Sequence, residues 1–352
     1  MPLVQSCRFD AARKKFVIII YGPPGLGKST LGQSAPAPLT CDFDRGLERV
    51  SAKDRVSDYL EVEDYKGFLD DMKDPALLRN YETIVIDTCG AMITMMAKYI
   101  TDQNKTYKQK DGSLSIKGFG ALKQEFLRLS EDLRVNMRKN VVFIFHSVEE
   151  KDGDTTRNRV LCDGAAKNLV WTPADFGCFL TMEGGARIAH FEPGETYFAK
   201  RCFGIQAAYK LPDLRAPRVK NTFLTDLFAE ARANIQRDAD TVAAERKKYE
   251  EAMETGREII SGITDPETAA KASDSIKTLS HAKTSEAELR SALLRRLKEV
   301  GVKWDKAAQV WMWENPPKAE PEAVETAETA ETPSDAEPEK QDSGTPDSGE
   351  AA

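Results

Sequence analysis

Short, mostly apolar runs alternate with longer polar segments through the first 228 residues. The clearest runs predict four strands, at 16–21, 38–43, 83–87 and 141–145. Each run is continuous rather than apolar at every second position, which is typical of strands covered on both faces. Apolar residues at helical spacing in 120–137 predict a helix before the last strand. This alternation indicates an α/β fold with a mostly parallel sheet.

The pattern changes after residue 228, where Ala, Glu, Lys and Arg dominate. Residues 228–260 predict one long charged helix, and 285–300 predict a shorter helix with an apolar stripe. The segment 301–313 predicts a small β-hairpin that carries Trp304, Trp311 and Trp313. These rings form either the core of a small module or a platform for stacking bases. We therefore divide the chain into a core at 1–228, a mainly helical region at 229–315 and a tail at 316–352.

The tail differs sharply from the body in charge. The chain of 352 residues has a formal charge of −7, and residues 316–352 hold eight Glu and three Asp against two Lys. The tail also holds six of the 17 prolines, and its one large aliphatic residue is Val324. Such a segment cannot bury enough apolar surface to offset the entropy of ordering, so we predict that it is disordered.

Composition also excludes several classes of protein. The longest apolar run, 16–21, is far shorter than the roughly 20 residues that span a bilayer, and no signal peptide is recognisable. The six cysteines are scattered without a C-x-x-C pair, and there are three histidines. A membrane protein, a disulfide framework and a zinc finger are all disfavoured. We expect a cytoplasmic protein.

A phosphate-binding motif follows the first predicted strand. The segment that starts at Gly22 matches G-x-x-x-x-G-K-[ST] at every fixed position, between a strand and a helix. The predicted nucleotide-binding residues are Gly22, Pro23, Pro24, Gly25, Leu26, Gly27, Lys28, Ser29 and Thr30. Backbone N–H groups surround the phosphates, Lys28 reaches the β- and γ-phosphates and Ser29 ligates Mg²⁺. Thr30 is expected to contact the α-phosphate. The predicted cofactors are ATP and Mg²⁺.

A metal-binding carboxylate is expected at the end of a neighbouring buried strand. Asp87 follows an uncharged apolar run and is the natural Walker B aspartate, which holds Mg²⁺ through water. The alternative is an aspartate that caps the next helix. Thr88 stands where many ATPases place a catalytic Glu, so the catalytic base must come from elsewhere.

Two further strand ends supply candidates. Asp44 is the favoured base to polarise the attacking water, with Asp42 as a second choice and a simple turn signal as the remaining alternative. His146 follows the strand 141–145 and leads into a polar loop, 147–163. It is either a sensor of the γ-phosphate or a structural residue. Carboxyl ends of parallel strands meet at one sheet edge, where ligands bind.

In this order, the motifs resemble those of the RecA-like P-loop ATPases. The chain looks more narrowly like compact phage-encoded AAA-type nucleotide-binding proteins of the single-strand annealing and recombination class. The resemblance covers about 14–225 and implies a RecA-like core followed by a helical C-terminal region. Asp44 stands where RecA has Glu, and the shorter carboxylate implies slower hydrolysis.

The resemblance also implies catalytic groups that act across a subunit interface. Lys200 and Arg201 resemble the basic pair that reaches the γ-phosphate of a neighbouring subunit. A solvated basic strand is the equal alternative.

A DNA-binding loop is predicted at 101–117. This segment is polar and glycine-bearing, and it fits a mobile loop that contacts phosphates and stacks a base. Its candidate residues are Lys105, Tyr107, Lys108, Lys110 and Lys117. The segment 149–167, which corresponds to the second DNA loop of RecA-like proteins, holds five acids against four bases and does not favour nucleic acid.

The predicted function is Mg²⁺-dependent ATP hydrolysis coupled to single-stranded DNA binding in phage recombination or replication. The expected partners are single-stranded DNA, further copies in an oligomer or filament, and a single-strand-binding or replication protein. If the protein is phage-encoded, it acts in the host cytoplasm. The main alternative is a nucleotide-switched loader or adaptor with little turnover. A P-loop kinase is disfavoured because no Arg-rich lid segment is evident.

Overall fold

The computed structural model describes residues 10–55, 58–153, 155–162, 166–214, 216 and 219–316. The chain divides into two compact units, with the boundary between Lys248 and Tyr249. Apart from Pro316, the predicted acidic tail lies outside the described residues.

The elements alternate along the first unit and become mainly helical in the second. The strands are β1 (Val17–Gly22), β2 (Pro38–Asp42), β3 (Tyr59–Glu61), β4 (Thr83–Asp87), β5 (Asn140–Asp152), β6 (Thr155–Val160), β7 (Phe176–Glu183), β8 (Ala186–His190), β9 (Ala208–Lys210), β10 (Val302–Asp305) and β11 (Val310–Trp313). The helices are α1 (Lys28–Gly32), α2 (Tyr65–Met72), α3 (Pro75–Leu78), α4 (Cys89–Gln103), α5 (Ile116–Glu131), α6 (Ala166–Leu169), α7 (Phe223–Ser261), α8 (Pro266–Thr278) and α9 (Ser285–Val300).

One mostly parallel sheet organises the first unit. Its strand order is β3-β2-β4-β5-β1-β7-β8-β9, with β6 paired to β5 beside this path. Pairing is parallel from β3 to β7 and antiparallel from β7 to β9. The predicted α/β fold with a mostly parallel sheet is confirmed.

Helices cover both faces of this sheet. Every residue of β1, β2 and β4 is buried, as their continuous apolar runs predicted. Side chains of β1 alternate between two apolar clusters, with Ile19 in one and Ile18 in the other. Residues of α2, α4 and α5 complete the first cluster, and residues of α1 and the start of α7 complete the second. Burying each such isoleucine stabilises the fold by about 1.5–3 kcal/mol.

The segment after His146 is a β-hairpin, and the predicted loop at 147–163 is wrong in this respect. Strand β5 continues to Asp152 and pairs with β6 in register from Ser147 opposite Val160 to Asp152 opposite Thr155. Gly153 takes a φ of +65° at the turn. Glycine directly after the last paired residue of a strand is a hairpin signal, which the high charge of the segment obscured.

The predicted DNA-binding loop is shorter than expected and is closed by hydrogen bonds. Helix α4 extends to Gln103, and α5 already begins at Ile116. Between them the backbone N–H of Ser115 donates to the carbonyl of Tyr107 at 2.9 Å. The side chain of Ser115 caps α5 by accepting from the N–H of Gly118 at 3.1 Å. The segment 104–115 is therefore a compact turn.

The second unit contains the end of α7, α8, α9 and the hairpin of β10 and β11. The predictions of a long charged helix, a helix at 285–300 and a terminal hairpin are confirmed. Trp311 and Trp313 pack against the apolar core of this unit, whereas Trp304 is 42% exposed. Within the described part of the chain, no helix is both long and apolar enough to cross a membrane.

Two glycines of α5 give a direct test of how the turn packs. A Cβ on Gly118 would lie 2.3 Å from the carbonyl oxygen of Tyr107, whereas a Cβ on Gly120 would meet nothing within 4 Å. We expect Gly118→Ala to lower the free energy of unfolding by about 1–3 kcal/mol, because the backbone of the turn must shift. Gly120→Ala should raise it by about 0.5–1 kcal/mol through helix propensity. Urea denaturation measures both, and equal effects would contradict this packing.

Candidate functional site

The phosphate-binding motif forms a loop between β1 and α1. Gly25 and Gly27 take φ values of +82° and +77°, which residues with a side chain rarely adopt. This backbone turns directly into α1, which begins at Lys28. The sequence therefore uses glycine where the loop must curve around phosphates.

Lys28 is buried at the base of this loop. Its ammonium donates to the carbonyl oxygens of Gly22 at 2.9 Å and Pro23 at 2.8 Å. Burial lowers the pKa of Lys28, and the charge of Asp87 opposes that change. The loop carbonyls thus compensate for part of the lost hydration of the ammonium.

Asp87 and Ser29 form the predicted metal-binding pair. The Ser29 hydroxyl is hydrogen-bonded to the Asp87 carboxylate. Burial raises the pKa of Asp87 to about 6, the bond from Ser29 lowers it, and the charges of Asp44 and Asp42 raise it further. A hydroxyl beside a carboxylate is an oxygen donor set that suits Mg²⁺. The cap of α4 is Thr88, so the alternative role of Asp87 as a helix cap does not apply.

The two acidic candidates after β2 have different roles. Both carboxylate oxygens of Asp42 accept backbone N–H groups, from Gly46 at 3.0 Å and Leu47 at 2.9 Å. Asp42 therefore shapes the turn, as the turn-signal alternative proposed, and is poorly placed to serve as a base. Asp44 is half-buried, and its charge acts on both Asp87 and His146.

His146 lies beside the phosphate loop. It is the partner of Gly22 in the parallel register between β1 and β5. Burial and the charge of Lys28 lower the pKa of His146, while Asp44 opposes them. The imidazole is therefore neutral at pH 7, and β5 continues from it without a break into the hairpin with β6.

Strand register brings these groups to one edge. Asp42 pairs with Asp87 across β2 and β4, and Phe43 donates its N–H to the Asp87 carbonyl at 2.7 Å. In the adjacent strands, His146 of β5 lies opposite Gly22, the last residue of β1, from which the phosphate loop departs. The edge thus combines a cation, a hydroxyl beside a carboxylate, a second carboxylate and a neutral imidazole, which together are suited to bind a nucleoside triphosphate and activate water.

The AAA domain family matches residues 14–203, more than half of the chain. The chain belongs to this family. The match begins before β1 and includes the phosphate loop and all the edge residues described above. No protein of curated function matches the chain.

Two basic residues near the end of this AAA domain are not brought to the phosphate loop. The ammonium of Lys200 donates to the carbonyl oxygens of Ala174 and Trp171, which precede β7. Arg201 pairs with Glu192 at 2.6 Å. The structure therefore gives both predicted trans-acting cations partners within their own chain.

Sequence reasoning missed a cation that does reach the loop. Arg187, on β8, lies so close to Gly27 that a Cβ there would be 2.5 Å from the guanidinium. Its guanidinium donates to the carbonyl oxygen of Pro212 at 3.0 Å. Asn221 donates to the carbonyl oxygen of Thr30 at 2.7 Å. No local pattern marks these residues, because each reaches the loop from a distant part of the chain.

The predicted DNA-contacting residues differ in exposure. The four lysines of the turn and the start of α5 are exposed, and these are Lys105, Lys108, Lys110 and Lys117. Tyr107 is half-buried and packs against the first apolar cluster. The role of these residues in binding DNA stays a prediction.

Because burial raises the pKa of Asp87, we expect replacement of its carboxylate to stabilise the folded protein in a pH-dependent way. An ionised, buried carboxylate destabilises the folded protein at pH values above about 6, and the effect is absent below 3.8, where the unfolded chain is protonated as well. Asp87→Asn should therefore raise the free energy of unfolding by up to about 3 kcal/mol at pH 7.5, and by much less at pH 3.8.

Denaturation at both pH values measures this difference. Asp238→Asn is the matched control, since Asp238 is exposed on α7. A variant at Asp87 that is no more stable than the wild type at pH 7.5 would contradict the burial argument.

Proposed function

We propose that this protein hydrolyses ATP with Mg²⁺ and couples hydrolysis to single-stranded DNA binding in phage recombination or replication. The observation that carries the proposal is the convergence of Lys28, Ser29, Asp87, Asp44 and His146 at one sheet edge. Membership of the AAA domain family supports nucleotide binding. The link to DNA and to recombination rests on the resemblance to RecA-like proteins.

Each group at the edge has a role in this reaction. Lys28 leaves the loop carbonyls and binds the β- and γ-phosphates, and the loop N–H groups hold the same phosphates. Ser29 and Asp87 would hold Mg²⁺, which neutralises charge that develops on the phosphate oxygens. Asp44 orients the attacking water and accepts its proton.

In this proposal, His146 is the sensor that couples hydrolysis to DNA binding. A neutral imidazole beside Gly22 can donate a hydrogen bond to the γ-phosphate or to the attacking water. Because β5 is continuous, a shift at His146 is transmitted into the hairpin of β5 and β6. The exposed lysines of the turn 104–115 supply the contacts to DNA phosphates.

Assembly into an oligomer or filament, and a single-strand-binding or replication partner, belong to the same proposal. Lys200 and Arg201 are engaged within the chain, so a trans-acting role would require them to exchange these contacts. Arg187 provides a cation at the phosphate loop without a second subunit.

Phosphate release from ATP tests the proposal. We expect Mg²⁺-dependent release by the purified protein and a higher kcat with single-stranded DNA. Lys28→Ala should abolish release, because the loop then lacks its one buried ammonium. Turnover that ignores DNA, or none above the Lys28→Ala blank, would favour the nucleotide-switched adaptor.

Asp44 gives a second, sharper test. Asp44→Asn should lower kcat by about a hundredfold or more, since an amide cannot accept the proton of water. ATP affinity should change little, because Asp44 does not hold the phosphates. Glu48→Gln is the control, an exposed acid four residues further on. A loss of activity that is equal in the two variants would remove Asp44 from its role.

A further inference from the structure

A cavity of about 310 Å³ lies within the second unit, bordered by α8, α9 and β11. Its floor is apolar and is formed by Ile276, Leu293, Leu297 and Trp311, which belong to the core of this unit or pack against it. Leu294 lies at the rim, and its side chain is 61% exposed. A cavity of this size and lining is suited to take up apolar side chains of a ligand.

Two cations border this cavity. Lys277 forms an ion pair with Asp274 at 3.0 Å, in which both side chains are exposed. Arg290 makes no ion pair with any residue that the structure describes. Glu286, one turn before Arg290 on α9, is the acid at this rim. An exposed ion pair stabilises little, so both cations are available to an acidic ligand.

The chain leaves the described structure close to this cavity. Trp311 lies on β11, which ends at Trp313, and the structure describes the chain as far as Pro316, where the acidic tail begins. Ten residues of extended chain span up to about 33 Å, so the part of the tail near residue 323 can return to the cavity. A tethered segment has a high effective concentration, and a weak contact is therefore enough to hold it.

One segment of the tail, 322–331, matches the cavity in chemistry. Its apolar residues recur at the spacing of one helix face, and these are Ala323, Val324, Ala327 and Ala330. Val324 is the one large aliphatic residue of the tail. The segment also carries Glu322, Glu325, Glu328 and Glu331 and holds neither Lys nor Arg. It thus combines an apolar face with the charge opposite to that of the two cations at the rim.

We propose that residues 322–331 dock into this cavity of the same chain. Val324 lies on the apolar floor, and the glutamates lie beside Arg290 and Lys277. An amphipathic segment in an apolar groove is a common mode of peptide recognition. Docking orders this one segment of a tail whose composition predicts disorder. The inference does not depend on the proposed ATP hydrolysis.

Amide NMR spectra of the full wild-type chain test the docking. A docked segment tumbles with the second unit, so the signals of 322–331 should be about fivefold weaker than those of 337–352. This difference should persist on dilution, because contact within one chain does not depend on concentration. Equal intensities in the two ranges would overturn the proposal. A difference that vanishes on dilution would assign the cavity to the tail of a second copy and would overturn docking within the chain.

Three exposed positions of α9 test which groups hold the segment. Arg290→Gln and Leu294→Ser should each raise the signals of 322–331 to the intensity of 337–352, since one removes a charge and the other an apolar contact. Arg295→Gln is the matched control, because Arg295 is exposed on the same helix and does not line the cavity. Signals that stay weak in both cavity variants, or that recover equally in Arg295→Gln, would contradict the proposed contacts.

Photo-crosslinking locates the docked segment. Benzoylphenylalanine in place of Ala327, one turn after Val324, should link within the chain to the peptides of α8 and α9 that border the cavity. The same group in place of Asp347 should not link to them. Links from Ala327 to a different surface, no links, or links between isotopically labelled and unlabelled chains would each overturn the proposal.

Discussion

The burial of β1 is the constraint on which the rest of the first unit depends. Its six residues are all buried, and its side chains belong to both apolar clusters. Strands β5 and β7 pair with it on either side. The phosphate loop leaves β1 directly at its carboxyl end. Precise placement of the loop relative to Asp87 and His146 therefore follows from the packing of an apolar strand, not from contacts among the polar groups themselves.

Burial also determines the electrostatics of the site. It is the largest cause of the pKa change in Lys28, Asp87 and His146, and in each case it favours the neutral form. The edge thus holds charges at a cost in folding free energy, as sites that bind ions commonly do. A bound polyanion would supply negative charge beside Lys28, and a divalent cation would supply positive charge beside Asp87. The protein itself compensates each of these charges only in part.

The groups of the proposed reaction lie on both sides of β1 in the sheet. Asp44 and Asp87 lie at the ends of β2 and β4 and His146 lies within β5, whereas Arg187 lies on β8, beyond β7. A parallel sheet makes this division possible because all its strands from β3 to β7 end at the same edge. The antiparallel hairpin of β7 and β8 then returns Arg187 to the loop.

The sequence by itself determined the four buried strands, the phosphate loop, Asp87 and the helix at 285–300, because local patterns record burial and backbone curvature directly. Only the tertiary structure decided which side chains meet. Hydrogen bonds from the nearby Gly46 and Leu47 assigned Asp42 to a turn, and bonds to distant backbone carbonyls assigned Lys200 to the segment before β7. The same long-range packing placed Arg187 against Gly27. Such contacts depend on the register between strands far apart in the chain, and no short segment encodes that register.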